Sequence, residues 1–151
     1  MDTLVSQSGV YSDHYYDVYT FFCQYLLWEG ELEQSADLAI RLYNLAKEQN
    51  NENGIICNCE TMGLINQRIN RDSIAVSFFK EGIELLDRQP EKYRFTIQFL
   101  TNIIESELKL NQYHEARTYL NKFEQKLQDV KAGVFGEDLS FPYDRCYMLL
   151  Y

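Results

Sequence analysis

Apolar positions along the chain recur every three or four residues, in blocks of helical length separated by short polar turns. The first block, 13–28, is dense in Tyr and Phe and stops at Glu29-Gly30. The second, 31–49, carries Leu38, Leu42 and Leu45 on one stripe with Ala39 and Ala46 beside it, and Asn50 to Gly54 then reads as a turn. A third block, 55–69, places Met62, Ile65 and Ile69 at helical spacing with Gly63 as a small contact. In the fourth, 72–88, Ile74, Phe78 and Leu85 follow Asp72, a good capping residue. Gln89-Pro90-Glu91 breaks the pattern, and Pro90 suits the start of the next helix. The fifth and sixth blocks run over 91–110 and 113–130. After the longest connection, Lys131 to Asp138, Ser140 and Pro142 open a seventh helix that reaches Tyr151. No stretch alternates with period two, so the expected fold class is all-α.

Across these blocks one short pattern returns about every forty residues. Its copies start at Gly30, Asn70 and Asn111, each a turn-former lying between two helical stretches. Five places on stands a small residue, Ala75 in the second copy and Ala116 in the third. In the first copy Ser35 holds that place and Ala36 stands one step beyond, which makes that unit read as displaced by one. A small residue recurring at fixed spacing means that helices approach each other closely in the same way each time, the mark of a helical-repeat array.

The pattern resembles the tetratricopeptide repeat. The third unit carries the resemblance best, through Leu100, Ile103 and Ile104, then Asn111, Tyr113, Ala116, Leu120 and Phe123. The second shows Gly63, Asn70, Ala75, Phe79 and Gly82, with Asp72 departing where the family usually has Tyr; the first keeps Gly30 and Leu32. The resemblance implies a right-handed superhelical stack of antiparallel helix pairs. About three repeats, 13–49, 53–88 and 91–130, would be followed by an extra helix over 140–151. The spacing exceeds the ~34 residues of the standard repeat and is similar to that of units in bacterial signalling proteins. The segment 46–55, with Met62 to Ile65, resembles inter-repeat segments of bacterial sensors. There such arrays precede a membrane segment and a histidine-kinase or DNA-binding module. The apolar end at Cys146 to Tyr151 lacks a helix stop, so the chain is expected to be part of a longer protein; the alternative is a native C-terminus with a capping helix.

Composition narrows the function. A chain of 151 residues, 46% hydrophobic, supports one domain with a substantial core and excludes a disordered tail. No apolar run approaches the roughly 18 residues of a membrane span, and the start Met1 to Ser6 lacks the features of a signal peptide. Neither a periplasmic nor a cytoplasmic location is singled out. The net charge of −9, with 14 basic residues scattered among 23 acidic ones, argues against nucleic-acid binding. Cys57 and Cys59 are too close for a zinc knuckle, and with Cys23 and Cys146 read as small buried hydrophobes. No metal or other cofactor is expected.

Phosphate loops, nucleophile elbows and zinc-protease motifs are absent, and His14 and His114 read as solvated surface, so no enzymatic activity is expected. Binding is. The resemblance implies that the first helix of each pair lines a concave groove, and it assigns to that groove Asp17, Phe21, Gln24 and Trp28, then Glu60, Thr61, Leu64 and Arg68, then Gln98, Thr101, Asn102 and Glu105. For Phe21 and Trp28 the competing reading is core of the first pair. A clamp for a peptide's C-terminal carboxylate is not expected, because the matching positions carry Thr20, Glu60, Thr61, Gln98 and Asn102, and Glu60 and Glu105 would repel an anion. Tyr11, Tyr15, Tyr16, Tyr19, Phe22 and Tyr25 cover more than one side of the first helix, so some should be exposed or packed on a further element. The expected function is a non-catalytic protein- or peptide-interaction domain, the sensor or regulatory region of a bacterial signal-transduction protein, with a homodimer as one form of partnership. The alternative is a cytoplasmic peptide-binding regulator, scaffold or co-chaperone.

Overall fold

In the computed structural model, residues 12–133 are described, so the seventh segment (140–151), Tyr11 and Cys146 lie outside the described residues. Six α-helices fill this span: α1 (Asp13–Glu29), α2 (Leu32–Glu48), α3 (Glu52–Arg68), α4 (Asp72–Leu86), α5 (Tyr93–Lys109) and α6 (Tyr113–Lys131), with a 3-10 turn at Pro90–Lys92 leading into α5. The described residues contain no strand.

Four of the five reversals are built alike. Gly30, Asn50, Asn70 and Asn111 adopt positive φ, at 88°, 51°, 57° and 58°. In each the following amide reaches back five residues: Glu31 N–H to Leu26 O, Asn51 to Ala46, Arg71 to Asn66 and Gln112 to Glu107, at 2.8–2.9 Å. This is the Schellman closure, which satisfies helix-end carbonyls and needs a left-handed residue that Gly or Asn adopts at least cost. The turn-formers of the repeated pattern are therefore functional stops. The α4–α5 reversal differs: the Arg88 and Gln89 amides reach back only three residues, to Leu85 O and Leu86 O, and Pro90 then opens the 3-10 turn. Asp72 is not a cap as expected: Arg71 holds that place without a side-chain bond, and Asp72 is buried inside the first turn. Asn51 caps α3, its Oδ1 accepting from Gly54 N at 2.7 Å. The start of α3 at Glu52 is also three residues earlier than the apolar spacing indicates.

Each helix packs on the next, and α1 and α5 both touch α3. Polar contacts between alternate helices keep nearly constant separation along the chain. Asp13 accepts from Asn51, Asp17 from Asn53 and Glu60 from Gln24, at separations of 38, 36 and 36 residues. On the even helices, Glu81 accepts from Tyr43 and pairs with Lys47, and Asp87 pairs with Lys122, at separations of 38, 34 and 35. A constant offset requires alternate helices to run parallel in matching register, so the chain has helical-repeat character.

Close approaches follow the small residues. A Cβ on Gly63 would lie 2.2 Å from Phe79 Cε1, and one on Gly82 would lie 2.0 Å from Phe99 Cε1. Phe79 and Phe99 meet edge to face at 6.0 Å in the main core, which spans α1 to α6. A second cluster of Cys23, Leu27, Ala39, Leu42 and Ile65 closes the α1–α2–α3 end. The first repeat is not displaced. Ser35, fully buried, fills the place of Ala75 and Ala116, its hydroxyl donating to Cys23 O at 2.8 Å, while Ala36 is only partly buried.

Candidate functional site

The odd-numbered helices form one layer. α1 and α3 are joined by the Asp13–Asn51, Asp17–Asn53 and Gln24–Glu60 bonds. α3 and α5 are joined by Gln67, whose Nε2 donates to Asn102 O at 3.0 Å and to Ser106 Oγ at 2.8 Å. Lys92, entering α5, donates to Asn53 at 2.9 Å. Where the C-terminal ends of these helices come together, Leu27, Trp28, Leu64, Gln67, Arg68, Glu105 and Lys109 line an open pocket of about 340 Å³.

Four of the twelve expected groove residues meet here: Trp28, Leu64, Arg68 and Glu105. Trp28 is 68% exposed and so is Phe21, which removes the reading of both as core of the first pair. Asp17 and Gln98 are exposed, and Gln24, Thr101 and Asn102 are half-buried. Asn102 contributes its carbonyl rather than its side chain to the contact with Gln67. Two expected lining residues point elsewhere. Thr61 is wholly buried with its hydroxyl on Cys57 O, and Glu60 is only 4% exposed, wedged between α1 and α3. Leu27, Gln67 and Lys109 were missed. Lys109 could have been found from its spacing four residues after Glu105, whereas Leu27 and Gln67 enter only through the tilt of neighbouring helices.

The local charge is not that of the whole chain. Glu105 pairs with Lys109 at 2.8 Å, and Arg68 has no ion-pair partner among the described residues. Two cations therefore face one carboxylate in the pocket, against a chain charge of −9. Glu60, expected to add negative charge to the groove, has its carboxyl pushed up to about 7 by burial, against the opposing pull of the Gln24 amide. Its Oε1 has no hydrogen-bond partner among the described residues.

The three described cysteines are poor nucleophiles. Burial pushes the thiols of Cys23 and Cys57 up to about 12 and raises that of Cys59 further. All three are free and buried. Among the described residues no group of three or more His, Cys, Asp or Glu side chains is placed to hold a metal ion, and no helix is long and apolar enough to cross a membrane. Comparison with known protein families, curated proteins and solved structures returned no match.

Proposed function

We propose that this chain is a non-catalytic interaction domain, a tetratricopeptide-like superhelical stack that binds a peptide or protein segment along the layer of α1, α3 and α5. The observation that carries this reading is the pocket, in which an exposed indole from α1, an aliphatic floor from α1 and α3, the Arg68 guanidinium from α3 and the Glu105–Lys109 pair from α5 come together. Sites of this kind take an extended segment by placing an apolar side chain on the aromatic and a polar group on the cation. The open shape favours binding over catalysis. A role as the sensor or regulatory region of a bacterial signalling protein rests on the sequence resemblance alone.

Trp28 is the only tryptophan in the chain, so its emission reports directly on this site. Titration with a library of short extended peptides bearing an aromatic or aliphatic residue beside a carboxylate should blue-shift that emission. Arg68→Glu should weaken the response roughly tenfold or more, as loss of a central Arg anchor does. A library in which no member moves the emission, or a response indifferent to Arg68→Glu, would defeat the reading.

A further inference from the structure

α1 is apolar on more sides than its neighbours cover. Its buried face, with Tyr16, Thr20, Cys23 and Leu27, meets α2 and α3. On the opposite side Val18, Phe22 and Tyr25 remain 50%, 48% and 47% exposed, and the Phe22 and Tyr25 rings stack at 6.4 Å with 17° between their planes. With exposed His14 before them and exposed Glu29 after, these residues are spaced four, four, three and four apart, which places all five on one helical face. The last described helix behaves differently: α6 turns Arg117, Asn121, Glu124, Gln125 and Gln128 to solvent. Stacked helical units need a polar outer face at each end to stay apart. Among the described residues, α6 has such a face and α1 does not.

We propose that this face of α1 is a homodimer seam, occupied by α1 of a second copy running antiparallel across a two-fold axis. The order of residues along the face is self-complementary. Antiparallel pairing about Phe22 sets Phe22 against its own copy, Val18 against the partner's Tyr25, and His14 against the partner's Glu29, twice over by symmetry. A parallel pairing would instead set Glu29 on Glu29 and His14 on His14. The remaining carboxylates of α1 stand aside. Asp13 accepts from Asn51, and Asp17 accepts from Asn53 and the Cys57 thiol, both on the α3 side. α1 holds no Lys or Arg, so the imidazole is the one basic group it can offer the partner's carboxylate. A single helix-pair seam falls at the small end of specific interfaces, so the dimer should be reversible and concentration-dependent.

Sedimentation velocity of the full chain over a concentration series should show a monomer–dimer equilibrium. Phe22→Asp should raise the dissociation constant at least about tenfold, as loss of a central aromatic anchor does. His14→Glu, which sets carboxylate against carboxylate, should also weaken the dimer. The double variant His14→Glu/Glu29→Lys should restore it, a rescue that general damage to α1 cannot produce. Circular dichroism melts would show that each variant remains folded. A wild-type chain that stays monomeric throughout overturns the proposal. A dimer insensitive to Phe22→Asp, or one not rescued by the double exchange, overturns the antiparallel α1 seam. Peptide binding at Trp28 is read by fluorescence and is independent of these outcomes.

Discussion

Glu60 is a carboxylate that the fold holds away from water between α1 and α3, with a single amide for company. Its pKa stands at about 7 in the folded chain against an ordinary value near 4.5. The folded state therefore binds this proton more tightly than the unfolded one, and the sign follows. Below about pH 4.5 both states are protonated and Glu60 imposes no penalty. As pH rises towards 7 the unfolded state ionises first, and stability is lost progressively. Glu60→Gln should remove that loss, making the variant more stable than the parent by roughly 1–3 kcal/mol at pH 8 and close to it at pH 4.5. Thermal melts of both proteins across that range would show it, and parallel curves would refute it. In sequence Glu60 looks like one more exposed acid in a helical stretch. Its burial depends on where α1 lands, which lies 36 residues upstream.

The turns are the elements whose logic the sequence shows most openly. Gly30, Asn70 and Asn111 mark the repeated pattern, and all three adopt the left-handed conformation that ends a helix. Asn50 belongs to the same set, although in sequence it is one of several turn-formers between Asn50 and Gly54. Asn carries part of the left-handed penalty that Gly avoids, about 1 kcal/mol or less, whereas a β-branched residue carries all of it. Asn70→Gly should therefore leave the urea midpoint unchanged or slightly raised, while Asn70→Val should lower stability by about 1–2 kcal/mol. Equal effects from both substitutions would mean that Asn70 is held by something other than its φ. Helix starts were less legible. Asp72 looks like a cap and is not, because the tight turn places Arg71 at the junction and draws Asp72 into the interior. The apparent slip of the first repeat arose from looking for Ala. Ser35 is equally small, and its hydroxyl is satisfied by Cys23 O, so burying it carries no unpaired group.

In the whole molecule, stability should be graded from the centre outward. α3 is covered by α1, α2, α4 and α5, and every residue from Gly54 to Thr61 is buried. α6 packs mainly on α5 and fully buries only Ala116 and Phe123. In a stack where each unit touches chiefly its neighbours, the helix with the fewest buried side chains opens first. Native-state amide exchange should find the slowest protons in α3 and markedly faster ones in α6; uniform protection of the two helices would contradict that gradient.

The sequence by itself determined the helices, their stops and the positions where two backbones come close, because those features depend on local spacing, turn chemistry and side-chain size. The resemblance to a repeat family assigned Trp28, Leu64, Arg68 and Glu105 to one groove together with eight other residues, and these four line one pocket. Tertiary structure alone decided which neighbours surround each helix. That is why α3 is buried on every side from Gly54 to Thr61 although its Met62, Ile65 and Ile69 spacing describes a single stripe, why Thr61 and Glu60 left the surface, and why two cations gather in the pocket of an acidic chain. Burial and local charge are set by helices that are distant in sequence, and periodicity within one helix carries no information about them.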